Sequence, residues 1–170
     1  KLISWILAHD LDTPEEREVT KEYAEKGIAG IKVDFFDYDD QDTTQLYQDI
    51  YDACVENHLV INAHGANKPT GENRTYPNVI NREAVRGEEH QYNSYQTNVW
   101  VYTRNVVGPI DITPKIYTGQ GTTTGQQAAM TIVFESGMPC MASTVEDYKS
   151  SPALPLLKNM PSRWDELFFL

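Results

Sequence analysis

Two carboxylates stand where side chains could do chemistry. Asp34 lies at the end of the run Gly30-Ile31-Lys32-Val33-Asp34-Phe35-Phe36, and Glu89 lies in Gly87-Glu88-Glu89. A pair of this kind can divide the work of bond cleavage. One carboxylate attacks an electrophilic carbon, and the other gives and takes the proton of the departing or entering oxygen. Lys32 is two residues before Asp34, so a strand would point both side chains to one face. A charge inside an apolar strand is costly unless it is paired or solvated at the strand end. The residues therefore leave two readings open: a structural ion pair that closes a strand, or an acid placed for a ligand.

The elements that must carry these groups follow from the apolar pattern. Strands are expected at Leu2–Ala8, Gly30–Phe36, Leu59–Ala63, Ala84–Glu88, Ile110–Ile112 and Met138–Ala142. A last apolar strand is expected after Pro161–Leu167. Helices are expected between them. Thr13-Pro14-Glu15-Glu16 supplies an N-cap, a first-turn Pro and a Glu at the third helical position, and Gly27 ends that helix. The next helix carries Leu46, Ile50 and Cys54 at helical spacing, with Asp42 and Gln45 as its expected capping pair. Further helices are expected over residues 97–107, 122–134 and from 144. The acidic loop 37–42 has neither the Gly nor the spaced Glu of a calcium loop. The Pro-, Gly- and Asn-rich stretch 67–81 reads as a long loop, of a length that is usually functional or mobile.

Strand and helix alternate, and polar residues gather at strand ends: Asp10, Asp34, His64, Glu89 and Asp111. That is the pattern of a (β/α)8 TIM barrel with its site on the C-terminal face. A doubly wound sheet fits less well, because Gly119-Gln120-Gly121 has neither a preceding strand nor a third Gly. A full barrel takes about 250 residues, and this chain has 170. The expectation from length is a segment of a barrel rather than a whole one.

Composition removes several classes. Net charge is −11, with 14 Lys and Arg against 25 Asp and Glu, so no basic stripe can neutralise nucleic-acid phosphates. No apolar run reaches the length of a membrane span. Cys54 and Cys140 read as buried free thiols, and there is no CxxC, HExxH or Gly-x-Ser-x-Gly. Trp5, Trp100 and Trp164 read as core residues.

Carboxylates on two strand ends also meet the needs of glycoside cleavage. At this point the ordered motifs become specific. Gly30–Phe35, Asp39-Asp40-Gln41, Asn62-Ala63-His64-Gly65-Ala66, Lys68-Pro69-Thr70-Gly71 and Arg74-Thr75-Tyr76-Pro77-Asn78 are followed by Arg82-Glu83, Gly87-Glu88-Glu89, Gly108–Pro114 and Phe134-Glu135-Ser136-Gly137. Together they resemble glycoside hydrolase family 97, over essentially the whole chain. The resemblance implies one segment of the family's catalytic (β/α)8 barrel, about strands 3 to 8, without the flanking β-rich domains. The resemblance implies a bacterial α-glycosidase, periplasmic or secreted, with a calcium ion in its site. It implies Asp34 as nucleophile and Glu89 as acid/base, because retaining members carry an Asp and a Glu at these places. Inverting members have a base Glu where this chain has Gly65. Retaining members are chiefly α-galactosidases. The resemblance also implies Glu83 and Glu89 as calcium ligands. Lys32 and His64 are candidate contacts for an α-glycoside or oligosaccharide, while Glu88 and Glu135 read as structural. An α-glucosidase, or a non-catalytic carbohydrate- or calcium-binding piece, is the alternative. Open strand edges lead one to expect self-association of the isolated segment.

Overall fold

The computed structural model describes residues 1–115, 122–162 and 164–166. Gly119–Gly121 and the expected final strand beyond Leu167 lie outside them. The chain divides into two compact units, residues 1–84 and 85–170.

The first unit is a parallel α/β layer. Strands β1 (Ile3–Leu7), β2 (Gly30–Asp34), β3 (Val60–Ala63) and β4 (Val79–Arg82) lie side by side in chain order. Parallel neighbours in sequence order, with helices between the first three and a loop before the fourth, form the wall of a βα barrel. The register pairs Trp5 with Lys32, Leu7 with Asp34 and Lys32 with Asn62. A bulge between Ile61 and Asn62 then sets Asn62 against Asn81. One face of the sheet bears Ile6, Ile31, Val33, Ile61 and Ala63, all buried. These pack with Tyr47, Ile50, Tyr51 and Cys54 of helix α3 (Gln41–Glu56). Each such side chain removed from water contributes about 1.5–3 kcal/mol. The other face is polar, and it carries the candidate site.

Local signals explain the helices. Thr13 and Glu16 form a reciprocal capping box at the start of α1 (Pro14–Arg17), as their spacing predicts. The helix then breaks and resumes as α2 (Val19–Glu25), before Gly27 turns the chain at φ +79°. At α3 the cap is Asp40, which accepts the Thr43 amide at 2.9 Å, and not Asp42. An extended residue two positions earlier already satisfies the first-turn donors. Gln45 instead donates to Asp49 at 2.8 Å.

The fourth strand also differs from expectation. It is Val79–Arg82, not Ala84–Glu88. Arg82 turns toward α3, where it donates to Tyr51 Oη, pairs with Glu72 at 2.9 Å and lies 4.6 Å from the centre of the Tyr47 ring. Two polar residues in four, Asn81 and Arg82, hid the strand from an apolar count. The stretch 67–78 before it keeps only the short 3-10 turn Glu72–Arg74.

The second unit is held by helices and loops, with no strand among the described residues. Its helices are α4 (Ser94–Tyr102), α5 (Thr124–Val133), α6 (Val145–Ser150) and α7 (Leu154–Asn159), with 3-10 turns at Glu88–His90 before α4 and Arg104–Val107 after it. Tyr92, Ile110, Ile112, Met130 and Phe134 form its core, with Trp100 packed against it. The expected strands Ile110–Ile112 and Met138–Ala142 are extended segments without ladders. Ile110 donates to the Glu135 carbonyl at 2.9 Å, and Ala142 to that of Pro114 at 3.2 Å. Pro109, Pro114 and Pro139 remove the donors a regular ladder needs. Cys140 is accordingly half-buried in a loop, whereas Cys54 is fully buried.

Candidate active site

Asp34 ends β2 on the polar face. Its Oδ1 accepts the amide of Phe35 at 2.9 Å, and its Oδ2 accepts the indole N–H of Trp5 at 3.1 Å. Lys32 lies on the same face, as parity requires, but has no ion pair among the described residues. Of the two readings left open for Asp34, the structural ion pair with Lys32 is not formed, and a neutral donor on β1 takes that place.

The backbone beyond Asp34 is unusual. Phe35 has φ +61° and Asp37 φ +58°, a region that side chains with a Cβ disfavour. Residues so placed cost on the order of 1–3 kcal/mol each and persist where their surroundings hold them. Here the hold comes from the loop after β3. Gly65 accepts the Phe36 amide at 3.2 Å. Gly65 itself has φ +50°, and a Cβ built on it would lie 2.8 Å from the Phe35 nitrogen and 3.3 Å from Asp34 Oδ1. No side chain fits there without moving the segment that presents Asp34.

His64 and Glu83 form the adjoining cluster. Both are buried. Glu83 Oε2 accepts the Gly65 amide at 2.9 Å, and Oε1 lies 3.4 Å from His64 Nδ1. Glu83 thus fixes the loop that supports Asp34. Each of its oxygens still has a lone pair to spare, which suits a hard cation. Asn62 and Asn81, both buried and paired in register, extend the polar face below the strand ends. Sequence reasoning assigned them nothing.

In the second unit, the two adjacent acids separate by environment. Glu88 is buried and accepts from Gln127 Nε2 at 3.0 Å. Gln127 also donates to Thr122 at 2.8 Å, and its amide oxygen accepts from Tyr92 Oη and the Lys115 amide. Burial and the neighbouring Glu88 carboxylate both push the Tyr92 phenol up, so it stays a donor. Glu89 is exposed, with His90 Nε2 3.7 Å from its Oε1. Asp111 is buried and accepts the Cys140 amide at 3.0 Å.

Trp5 is the residue the sequence reading missed. It was expected in the core, yet it is 52% exposed and spends its single donor on Asp34. In β1 both parities are largely apolar, so the strand alone does not say which face looks inward. Pairing Trp5 with Lys32 in register would have put it on the polar side.

An acid held at the C-terminal end of a strand in a parallel βα sheet ordered β1-β2-β3-β4 fits a class of fold, the βα barrels with their sites above the strands. Comparison with known proteins narrows it. The Glycoside hydrolase 97 family model matches residues 2–85, essentially the whole first unit. A probable retaining α-galactosidase of Streptomyces bingchenggensis is 37% identical over 168 residues, which cover 95% of this chain and 26% of that protein. A retaining α-galactosidase of Bacteroides thetaiotaomicron is 33% identical over 192 residues, covering 99% and 29% respectively. Among solved structures, a β-arabinopyranosidase superposes with a TM-score of 0.80 at 26% identity, over 98% of this chain and 32% of that one. A family 97 enzyme of Pseudoalteromonas sp. strain K8, in complex with panose, gives 0.83 at 22% identity over 97% and 31%, a likeness of fold. This chain belongs to glycoside hydrolase family 97. It spans between a quarter and a third of the length of these relatives.

Proposed function

We propose that the protein hydrolyses α-linked galactosides with retention of configuration. The observation that carries the reading is Asp34 with Gly65 pressed against it. The carboxylate is present and held, and the place of an alternative base has no room for a side chain. The two relatives identified as retaining α-galactosidases support the substrate class.

In this reading an Asp34 oxygen attacks the anomeric carbon. The bond to the departing oxygen breaks, and Glu89 gives that oxygen its proton. Water then attacks the same carbon and loses a proton to Glu89, and the bond to Asp34 breaks. Two inversions give net retention. Glu89 suits a group that must both release and collect a proton, because it is exposed to the solvent with which that proton is exchanged. Lys32 and His64 are assigned to sugar hydroxyls. A calcium ion is assigned to Glu83 and Glu89, whose carboxylate oxygens are the donors it prefers. When bound it would polarise the sugar and the leaving group.

The test is the configuration of the first-formed sugar, followed by proton NMR on an aryl α-galactoside with the enzyme at full family length. Retained α product supports the reading, and β product at early times removes Asp34 from its role. A second reading is favoured by the solved β-arabinopyranosidase. β-L-arabinopyranosides share the ring configuration of α-D-galactosides and lack the hydroxymethyl group. Faster turnover of the aryl arabinoside would favour it.

A further inference from the structure

We propose that Trp5 is a positioning residue for the nucleophile, an inference that rests on the role assigned above to Asp34. The carboxylate has two oxygens and, among the described residues, two donors. Phe35 N–H takes Oδ1 at 2.9 Å, and Trp5 Nε1–H takes Oδ2 at 3.1 Å. The first donor is local and moves with the loop. The second comes from a different strand, 29 residues earlier. Only the second ties the carboxylate plane to the sheet and so fixes the direction in which its lone pairs point.

Three features show that this bond, and not packing, is what Trp5 contributes. It is 52% exposed and stands outside the apolar cluster of its unit. It faces Lys32 in register, so it sits on the polar side, diagonal to Asp34, which pairs with Leu7. An indole N–H donates only and does not ionise in the working range of an enzyme. It can orient the carboxylate at every pH without adding a charge that would hold the nucleophile back. Lys32, the cation of this face, forms no bond to Asp34 and is left for another partner.

The experiment uses the enzyme at full family length. In ¹H–¹⁵N spectra, the indole resonance assigned by its loss in Trp5→Phe should move upfield in Asp34→Ala. Trp5→Phe keeps an aromatic ring and deletes the donor. A hydrogen bond to a charged group accounts for about a tenfold to hundredfold effect. That loss should appear in kcat on an aryl α-galactoside, with KM within about twofold. Should Trp5→Phe not fold, benzothienylalanine at position 5 keeps the bicyclic shape without the N–H, and the same loss is expected. A raised KM with unchanged kcat would make the ring a sugar platform and overturn the proposal. Unchanged kinetics, or an indole resonance indifferent to Asp34→Ala, would overturn it too. Failure of the underlying reading looks different: Asp34→Ala would keep its turnover, whatever the indole resonance does.

Discussion

The two units hold their acids in different ways. In the first, Asp34 stands on a strand paired on both sides, and its neighbours Trp5, Asn62 and Asn81 are fixed by the same register. In the second, Glu88 and Glu89 ride on a three-residue 3-10 turn. What holds that turn is a side-chain network centred on Gln127. A backbone ladder tolerates the loss of one side chain. A buried network does not, because each missing partner leaves a desolvated group unpaired. Substitutions should therefore divide: changes in the first unit alter chemistry at modest cost in stability, and changes in the second alter stability first.

The largest expected effect tests the first half of that contrast. Asp34→Ala should lower turnover on the order of 10⁴-fold or more with little change in melting temperature. Added azide should restore activity and yield the β-galactosyl azide, identified by NMR. A variant that fails to fold would show that Asp34 is structural and that the ladder is not self-sufficient.

Gln127→Leu tests the other half. It leaves the Glu88 carboxylate buried without its donor, at a cost of about 3 kcal/mol or more. Denaturant titration should show the loss. If stability is unchanged, the network does not hold the turn.

Gly65→Ala should fall between these. The positive φ and the 2.8 Å approach to the Phe35 nitrogen predict about 1–3 kcal/mol of destabilisation. A fall in kcat should accompany it as Asp34 shifts. Full activity in a destabilised protein would separate Gly65 from the placement of Asp34.

The smallest effect concerns pH. Burial pushes the Cys54 thiol from its ordinary 9.0 up to about 12, and the Tyr47 phenol likewise from 10.0 to about 12. The unfolded thiol releases its proton from about pH 9, whereas the folded one keeps it. Stability present below pH 9 is thus lost as pH rises toward 12, at up to about 1.4 kcal/mol per pH unit. Tyr47 adds to the slope above pH 10. Between pH 9 and 10, Cys54→Ala should flatten it, as read by denaturant midpoints at stepped pH.

Much of the first unit was legible in the sequence because its strands alternate and its helix starts are marked. Gly30–Asp34 and Val60–Ala63 need β-branched residues on the helix side, and those residues are visible. The Thr13 cap was equally plain. The fourth strand was not, because its inward and outward positions are filled by Asn81 and Arg82, whose partners are far off in sequence. The second unit misled for the opposite reason. Ile110–Ile112 and Met138–Ala142 are apolar enough to be strands, but nearby prolines leave them as buried extended segments. Asp34 could be singled out from its place in an apolar run. Trp5 could not, since its role depends on which residue the register sets opposite it.

The contact between Gly65 and the Phe35 backbone also bears on how such a site can change over generations. A side chain at position 65 and the present course of the chain at Asp34 exclude each other. A lineage that acquires a carboxylate at position 65 before giving up Asp34 displaces the old acid and carries the strain of the new one at the same step. That ordering costs both stability and activity, which would keep descendants on one side or the other for long periods.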